Sequence, residues 1–179
     1  MTWTASSFTW QTTSTSAEKM MICSGDQMPS GSFGIMAEQG PETISTDELF
    51  KGRKVVLFSV PGAFTPTCSR RHLPGFVGQV DAIFAKGVDT IACTAVNDVF
   101  VMDAWGKQHG VGDKIHMLAD GNGEYVRKLG LEVDASGWDM GIRGQRFAII
   151  VDDGVASHVA VDEPGQFEVS SAEAILEFL

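Results

Sequence analysis

The chain has 179 residues and a mass of 19.2 kDa, which suits one domain or one domain with a tail. Its 44% hydrophobic and 20% charged residues are typical of a packed globular protein, and no apolar run approaches the roughly 20 residues of a membrane span. Thirteen basic against 23 acidic residues give a net charge of −10, so nucleic acid and anionic membrane surfaces are poor partners for this chain.

The first 20 residues are predicted to form a disordered, Ser/Thr-rich extension. Residues 1–17 carry no charge, and ten of them are Ser or Thr. The stretch has neither the basic start and apolar segment of a secretory signal nor the arginines of a mitochondrial transit peptide. We therefore expect the folded domain to cover residues 21–179, in a cytoplasmic protein.

The hydrophobic pattern of the remaining chain predicts alternating strands and helices. Two charge-free runs rich in β-branched residues predict strands buried on both faces, and Pro74 interrupts the helix between them. Capping boxes predict helix starts at Ser45 and Ser170, and one later helix is expected to bury Val101, Ala104 and Trp105. In chain order we predict a hairpin over residues 32–38 and 42–45, a short helix ending near residue 50, a strand over 54–60, a helix over 67–85, a strand over 89–96, a helix between residues 98 and 110, a strand over 115–119, a short helix over 125–129, a hairpin over 146–151 and 155–161, and a C-terminal helix to residue 179.

This order of elements determines the fold class. A β-α-β-α-β series followed by a β-hairpin and a helix requires a sheet that contains both parallel and antiparallel strands. Right-handed crossovers place the helices on both faces of such a sheet. We therefore predict an α/β, thioredoxin-like fold with a central mixed sheet.

The chain contains three cysteines: Cys23, Cys68 and Cys93. An odd and sparse set does not form a disulfide framework, and free thiols indicate a reducing compartment. No pair of cysteines has zinc-ribbon spacing, and the histidines show no metal-ligand pattern, so we expect no metal and no other bound cofactor.

Cys68 lies in the stretch that carries the clearest chemical signal, residues 60–68, directly after a predicted buried strand. The Thr65 hydroxyl is predicted to cap the following helix, and Pro66 suits the first helical position. Cys68 then falls in the first turn, where free N–H groups and the helix dipole favour a thiolate. These features predict a nucleophilic cysteine, whereas the alternative is a buried and inert one.

The same residues resemble a known family. The spacing Pro61-x-x-x-Thr65-x-x-Cys68 matches the peroxiredoxin active-site signature, and the string PGAFTPTCSRRHLPGF is similar to the type II (atypical) branch. The resemblance continues through GVDTIACTAVNDVFVMDAWGK, LADGNGEY and GIRGQRFAIIVDDG, so it covers about residues 22–179. It implies a thiol peroxidase acting on hydrogen peroxide and alkyl hydroperoxides, a role in antioxidant defence and redox homeostasis, and a homodimer.

The resemblance also implies roles for four residues. Cys68 would attack the O–O bond and become a sulfenic acid. The Thr65 hydroxyl and backbone N–H groups near Cys68 would hold the peroxide, while Pro61 would shield the pocket from water. Arg146 would supply a cation that stabilises the thiolate and the charge developing on the leaving oxygen.

The neighbouring basic side chains allow more than one interpretation. His72, four residues after Cys68 on the same helical face, either tunes the thiolate or is a packed histidine. Arg143 either braces the segment that carries Arg146 or is exposed. Arg70 and Arg71 are expected to be solvated.

The identity of the reductant depends on a second cysteine. Residues 164–171, where many atypical relatives carry a resolving cysteine, contain none. Cys93 lies 25 residues after Cys68, as in plant-type members of the branch, but its apolar strand predicts a buried and unreactive thiol. We therefore favour a one-cysteine cycle regenerated by glutathione and glutaredoxin; the alternative is a thioredoxin-linked cycle that uses Cys93.

Two further function classes fit the sequence less well. A thiol–disulfide oxidoreductase needs a Cys-x-x-Cys pair, and Thr65-Pro66-Thr67-Cys68 offers one cysteine. A non-enzymatic thioredoxin-like module that only senses oxidants would have no need of a peroxide pocket, so Thr65 and Arg146 argue against it.

Overall fold

A computed structural model describes residues 20–179. Apart from Met20, the predicted extension over residues 1–20 lies outside the described residues. The helices and strands, in chain order, are β1 (Ser32–Ala37), β2 (Gly40–Ser45), α1 (Thr46–Phe50), β3 (Lys54–Ser59), a π-helical turn (Cys68–His72), α2 (Leu73–Ala85), β4 (Thr90–Ala95), α3 (Val99–Gln108), β5 (Ile115–Ala119), α4 (Glu124–Lys128), β6 (Glu132–Asp134), a 3-10 turn (Ser136–Trp138), β7 (Ile142–Gly144), β8 (Phe147–Asp152), β9 (Val155–Val161) and α5 (Ala172–Leu176).

Seven of the strands form one mixed sheet in the order β2-β1-β5-β4-β3-β8-β9. The central strands β3, β4 and β5 are parallel, whereas β8 pairs antiparallel with β3 and β1 pairs antiparallel with β5. The two predicted hairpins, β1–β2 and β8–β9, form the two edges of the sheet. This arrangement confirms the predicted thioredoxin-like fold.

The sheet separates two hydrophobic cores, because successive strand residues point to opposite faces. Val56 and Phe58 of β3 lie in the core that contains apolar residues of α2, α3 and α5. Val55 and Leu57, their neighbours in β3, lie in the core that contains residues of α1 and α4. Helices therefore cover both faces, as predicted.

One of the two predicted capping boxes is confirmed and the other is wrong. At α1 the Ser45 side chain accepts from the Glu48 N–H, and the Glu48 carboxylate accepts from the Ser45 N–H. At α5 the N-cap is Ser171, whose hydroxyl accepts from the Ala174 N–H. Ser170 is buried and its hydroxyl donates to a carboxylate instead, so it is not free to cap the helix.

The buried face of α3 also differs from the prediction. Ala104 is exposed, and the buried residues of α3 are Met102, Trp105 and Gly106. A Cβ atom at Gly106 would lie 2.7 Å from the Met117 side chain, so the close approach of α3 to β5 requires glycine there.

Candidate active site

The loop between β3 and the π-helical turn forms one wall of the site. It is held to the neighbouring strand β4 by two hydrogen bonds: the Val60 N–H donates to the Thr94 carbonyl, and the Ala63 N–H donates to the Asn97 side chain. Pro61, at the start of the loop, is half-buried. Phe64 has a φ of 64°, a conformation that bulky residues rarely adopt, and its ring is 49% exposed. Rare backbone conformations of this kind cluster at functional sites.

Thr65 does not cap the helix, so this part of the prediction is wrong. Its hydroxyl donates to the Gly62 carbonyl at 2.9 Å, while its backbone carbonyl accepts from the Ser69 N–H. The threonine therefore closes the loop on itself. Its side-chain oxygen keeps lone pairs that can accept a hydrogen bond.

Cys68 begins a π-helical turn, in which the Leu73 N–H donates to the Cys68 carbonyl. The turn precedes Pro74, which has no N–H for the ordinary helical bond and whose ring would crowd the carbonyl four residues earlier. The predicted interruption at Pro74 is thus a widened turn just before it, and the helix continues. Such turns occur often at functional sites. Both Cys68 and His72, its two ends, are fully buried and face the same arginine.

Arg146 reaches Cys68 because of the sheet topology. Phe147, the first residue of β8, pairs with Ser59, the last residue of β3, so Arg146 stands beside the start of the loop. Its Nη1 and Nη2 both donate to the Cys68 sulfur, each at 3.5 Å. A guanidinium directed at the sulfur with two N–H groups stabilises a negative charge there.

His72 is enclosed by aromatic rings and bound at both nitrogens. Its ring lies 5.1 Å from Phe58 and 4.9 Å from Phe167, measured between ring centroids. Nδ1 lies 3.0 Å from Arg146 Nη1, and Nε2 lies 3.0 Å from the Ser170 carbonyl oxygen. Burial and the nearby Arg146 charge lower the pKa of His72 to about 3, so the ring is neutral at physiological pH.

Phe167 is a site residue that sequence reasoning missed. It lies between β9 and α5, and the guanidinium carbons of Arg71 and Arg146 lie 4.8 Å and 5.7 Å from its ring centroid. Arg71 is exposed, as expected, but it stacks on this ring. The only sequence signal was a lone aromatic residue in an otherwise polar segment.

The other two cysteines lie in different environments. Cys93 is fully buried in β4, opposite Phe58 in the sheet register, and burial together with the nearby Cys68 raises the pKa of its thiol. Cys23 is exposed, near the beginning of the described chain. All three cysteines are free thiols.

Arg143 braces the segment that carries Arg146. It lies in β7, part of a two-stranded sheet that the sequence analysis did not predict because each strand has only three residues. Its Nε donates to the Met140 carbonyl and its Nη1 to the carbonyl of Val96, the residue after β4. Arg143 thus ties the segment before Arg146 to the central sheet.

The chemistry available is that of a thiol beside a fixed cation. Within residues 20–179 no three His, Cys, Asp or Glu side chains gather in a way that could hold a metal ion.

None of the helices in the same residues is long and apolar enough to cross a bilayer.

Comparison with known proteins agrees with this arrangement. The Redoxin family model matches residues 23–176. Peroxiredoxin-2C of Oryza sativa subsp. japonica is 46% identical over 159 residues, which is 88% of this chain and 98% of that protein. Peroxiredoxin sll1621 of Synechocystis is 46% identical over 145 residues, covering 77% of this chain and 76% of that one.

Solved structures give the same result. Reduced Prx3 of Vibrio vulnificus in complex with hydrogen peroxide superposes with a TM-score of 0.85 at 47% identity, covering 88% of this chain and 99% of that one. The antioxidant protein of Plasmodium falciparum, a 1-Cys peroxiredoxin, superposes with a TM-score of 0.80 at 30% identity, over 88% and 98% of the two chains. Sequence, fold and family model together show that the chain belongs to the type II peroxiredoxins and is a thiol peroxidase, of a family that needs no prosthetic cofactor.

Proposed function

We propose that Cys68 is the peroxidatic cysteine and that it reduces hydrogen peroxide and small alkyl hydroperoxides. The Cys68 thiolate attacks the terminal O–H oxygen of the peroxide, the O–O bond breaks as the S–O bond forms, and the sulfur is oxidised to a sulfenic acid. The second oxygen leaves as hydroxide or alkoxide and takes a proton from solvent, giving water or an alcohol. The observation that carries the proposal is the pair of Arg146 N–H groups on the Cys68 sulfur.

Three residues besides Cys68 have complementary roles in this proposal. Arg146 stabilises the thiolate and then the charge that moves onto the leaving oxygen. The Thr65 hydroxyl, which donates to Gly62, can accept from the O–H of a bound peroxide. Pro61, half-buried at the start of the loop, limits the access of water.

We favour a one-cysteine cycle for regeneration. Glutathione attacks the sulfenic acid, water leaves, and glutaredoxin or a second glutathione reduces the mixed disulfide. The position of Cys93 supports this cycle: its thiol is fully buried in a central strand, and the raised pKa disfavours its nucleophilic form. The Plasmodium relative is itself described as a 1-Cys peroxiredoxin.

One observation favours the alternative, a thioredoxin-linked cycle. Cys93 and Cys68 belong to the same buried core, and they are close enough for Cys68 to raise the pKa of the Cys93 thiol. A disulfide between them would need Cα atoms within about 7 Å and a local opening of β4 or of the π-helical turn.

We also propose a homodimer. Phe64 and Phe100 expose 49% and 64% of their surface, and neighbouring exposed apolar side chains can form a contact with a second copy of the chain. Phe64 contacts Trp105 of α3, the helix that carries Phe100. The cytoplasmic location stays a prediction, because curated relatives include proteins named chloroplastic and mitochondrial.

Peroxide consumption by three cysteine variants tests the proposal. We expect Cys68→Ser to abolish turnover, and Cys93→Ser to retain most of it with glutathione and glutaredoxin as reductants. Cys23→Ser, at an exposed thiol, is the matched control. Turnover retained in Cys68→Ser would refute the mechanism, and turnover lost in Cys93→Ser but supported by thioredoxin in the unmodified protein would favour the alternative.

A further inference from the structure

The protonation state of His72 follows from its partners. An arginine can only donate, so Nδ1 of His72, 3.0 Å from Arg146 Nη1, must be the acceptor. The proton of the neutral ring therefore sits on Nε2, which donates to the Ser170 carbonyl at 3.0 Å. The buried histidine thus has one tautomer in which both of its hydrogen bonds are made.

These bonds belong to a closed ring. The Ser170 hydroxyl donates to Asp162, a buried carboxylate that also accepts from the Glu168 and Val169 N–H groups. The Asp162 N–H in turn donates to the Arg146 carbonyl at 2.9 Å. The ring therefore runs from the Arg146 side chain through His72, Ser170 and Asp162 to the Arg146 backbone.

This closed cycle of hydrogen bonds fixes the Arg146 guanidinium beside the Cys68 sulfur. Arg146 Nη1 carries two hydrogens, one available to the Cys68 sulfur and the other to His72. A free arginine side chain has several rotatable bonds, whereas one held at Nη1 and packed under Phe167 has few accessible rotamers. Both terminal nitrogens then lie at equal distances from the sulfur.

We propose that His72 is a positioning residue, whose neutral imidazole aims Arg146 at the Cys68 sulfur and is itself held by the Ser170–Asp162 pair. The inference rests on the proposed role of Arg146 in the function described above. In this proposal Nδ1 of His72 acts as a hydrogen-bond acceptor and not as a base. The segment that joins β9 to α5 then contributes to the reactivity of Cys68 without contacting its sulfur.

Two isosteric variants separate the two nitrogens of the ring. His72→Asn places an amide oxygen near the position of Nδ1, so it keeps the acceptor for Arg146 and loses the bond to Ser170. His72→Gln places its amide near Nε2 and loses the acceptor. We expect the rate constant for Cys68 oxidation by hydrogen peroxide to fall about tenfold in His72→Gln and only about two- to threefold in His72→Asn.

A double-mutant cycle distinguishes positioning from general structural damage. If His72 acts through Arg146, His72→Gln should slow oxidation no further in an Arg146→Gln background. An equal proportional loss in both backgrounds would overturn the inference. If Arg146→Gln slows oxidation but His72→Gln does not, only the inference fails; if Arg146→Gln has no effect, the proposed role of Arg146 fails with it.

The tautomer of His72 can also be measured in the unmodified protein, so this test does not depend on the folding of any variant. Nitrogen-15 NMR of the histidine rings should show His72 neutral at pH 7, with its proton on Nε2. A proton on Nδ1, or an imidazolium at neutral pH, would contradict the acceptor role.

Discussion

At the scale of single residues, the site depends on how one cation is held. Cys68 is fully buried, so charge at its sulfur is stabilised by groups of the protein and not by water. Two Arg146 N–H groups supply the compensating charge and hydrogen bonds at 3.5 Å. Removing the cation therefore leaves a buried sulfur without its charged partner, and a leaving oxygen without the Arg146 donor.

The first prediction concerns this cation. Arg146→Gln should lower the rate constant for Cys68 oxidation by hydrogen peroxide about 10²-fold or more, the usual effect of losing a preorganised donor. Arg71→Gln is the matched control, because Arg71 also stacks on Phe167 but is exposed and does not donate to the sulfur. Stopped-flow kinetics should show the control close to the unmodified protein; a loss of the same size in both variants would contradict the assigned role.

The second prediction concerns the loss of folding stability that His72 causes at acidic pH. Its pKa is about 3 in the folded protein, through burial and the Arg146 charge, against 6.5 as the ordinary value. Between these values the unfolded chain binds a proton that the folded protein does not, so stability falls as the pH is lowered from 6.5. The contribution has a slope of about 1.4 kcal/mol per pH unit and vanishes above pH 6.5.

Denaturant unfolding at several pH values measures this contribution. The difference between the unmodified protein and His72→Asn isolates it from other groups, including Asp162 and Arg146. We expect the free energy of unfolding of His72→Asn to decline less steeply below pH 6.5. Parallel curves for the two proteins would contradict the assignment of a low pKa to His72.

Local residue patterns predicted part of this site. The Thr65–Cys68 stretch indicated a reactive cysteine, and the resemblance supplied Arg146, 78 residues away, which no local pattern can place. The Thr65 cap was wrong because the hydroxyl is directed at the Gly62 carbonyl within the loop, to which it donates. The role of Ser170 was missed because its partners, His72 and Asp162, come from distant parts of the chain.

At the scale of elements, two adjacent serines before α5 have different roles, one in the helix cap and one in the active site. Ser171 caps α5 and also donates to the Glu168 carbonyl, whereas Ser170 bonds to Asp162. Both serines precede an apolar helix, and a capping-box pattern selected the wrong one. The Ser170–Glu173 spacing fitted the motif, but burial of Ser170 overrode it.

The third prediction uses this pair of serines. Ser171→Ala should lower the free energy of unfolding by about 1 kcal/mol, the usual effect of losing an N-cap, with little change in peroxide reduction. Ser170→Ala should reduce peroxide reduction as well, because it breaks the hydroxyl link to Asp162. Thermal unfolding and peroxide assays on both variants check this. Equal activity in the two variants would contradict the separation of the two roles.

The long strands and the short helices α1 and α4 were predictable, whereas β6, β7 and the π-helical turn were not. Charge-free runs of β-branched residues identified β3 and β4, which are buried on both faces. The β6–β7 ladder has only three residues in each strand, too few for a periodic pattern. The π-helical turn has no sequence signature except Pro74, which indicated an irregularity without its form.

At the scale of the whole molecule, the mixed sheet brings distant segments together at one end of its strands. The carboxyl end of β3, the start of β8 and the segment after β9 meet there because β8 lies between β3 and β9. That order places Arg146, the Cys68 loop and the Asp162–Ser170 segment side by side. The order of the predicted elements indicated the fold class, but the pairing of β8 with β3 is visible only in the structure.

The fourth prediction concerns assembly. Phe100→Glu, at a side chain that is 64% exposed on α3, should convert the proposed homodimer into a monomer, because a charge replaces apolar contact area. Phe178→Glu is the matched control, since Phe178 is 59% exposed but lies near the C-terminus and stacks on His158 of β9. Analytical ultracentrifugation of both variants measures the change. A monomeric unmodified protein would contradict the proposed dimer, and a dimeric Phe100→Glu variant would exclude Phe100 from its interface.

The most direct test of the central claim is an intact-mass measurement after one equivalent of hydrogen peroxide, with a sulfenic-acid trap and peptide mapping. The account predicts one trapped adduct on Cys68, with Cys93 and Cys23 unmodified. A loss of two hydrogens with Cys68 linked to Cys93 would replace the one-cysteine cycle with an internal resolving step. An unmodified Cys68 would contradict the proposed mechanism itself.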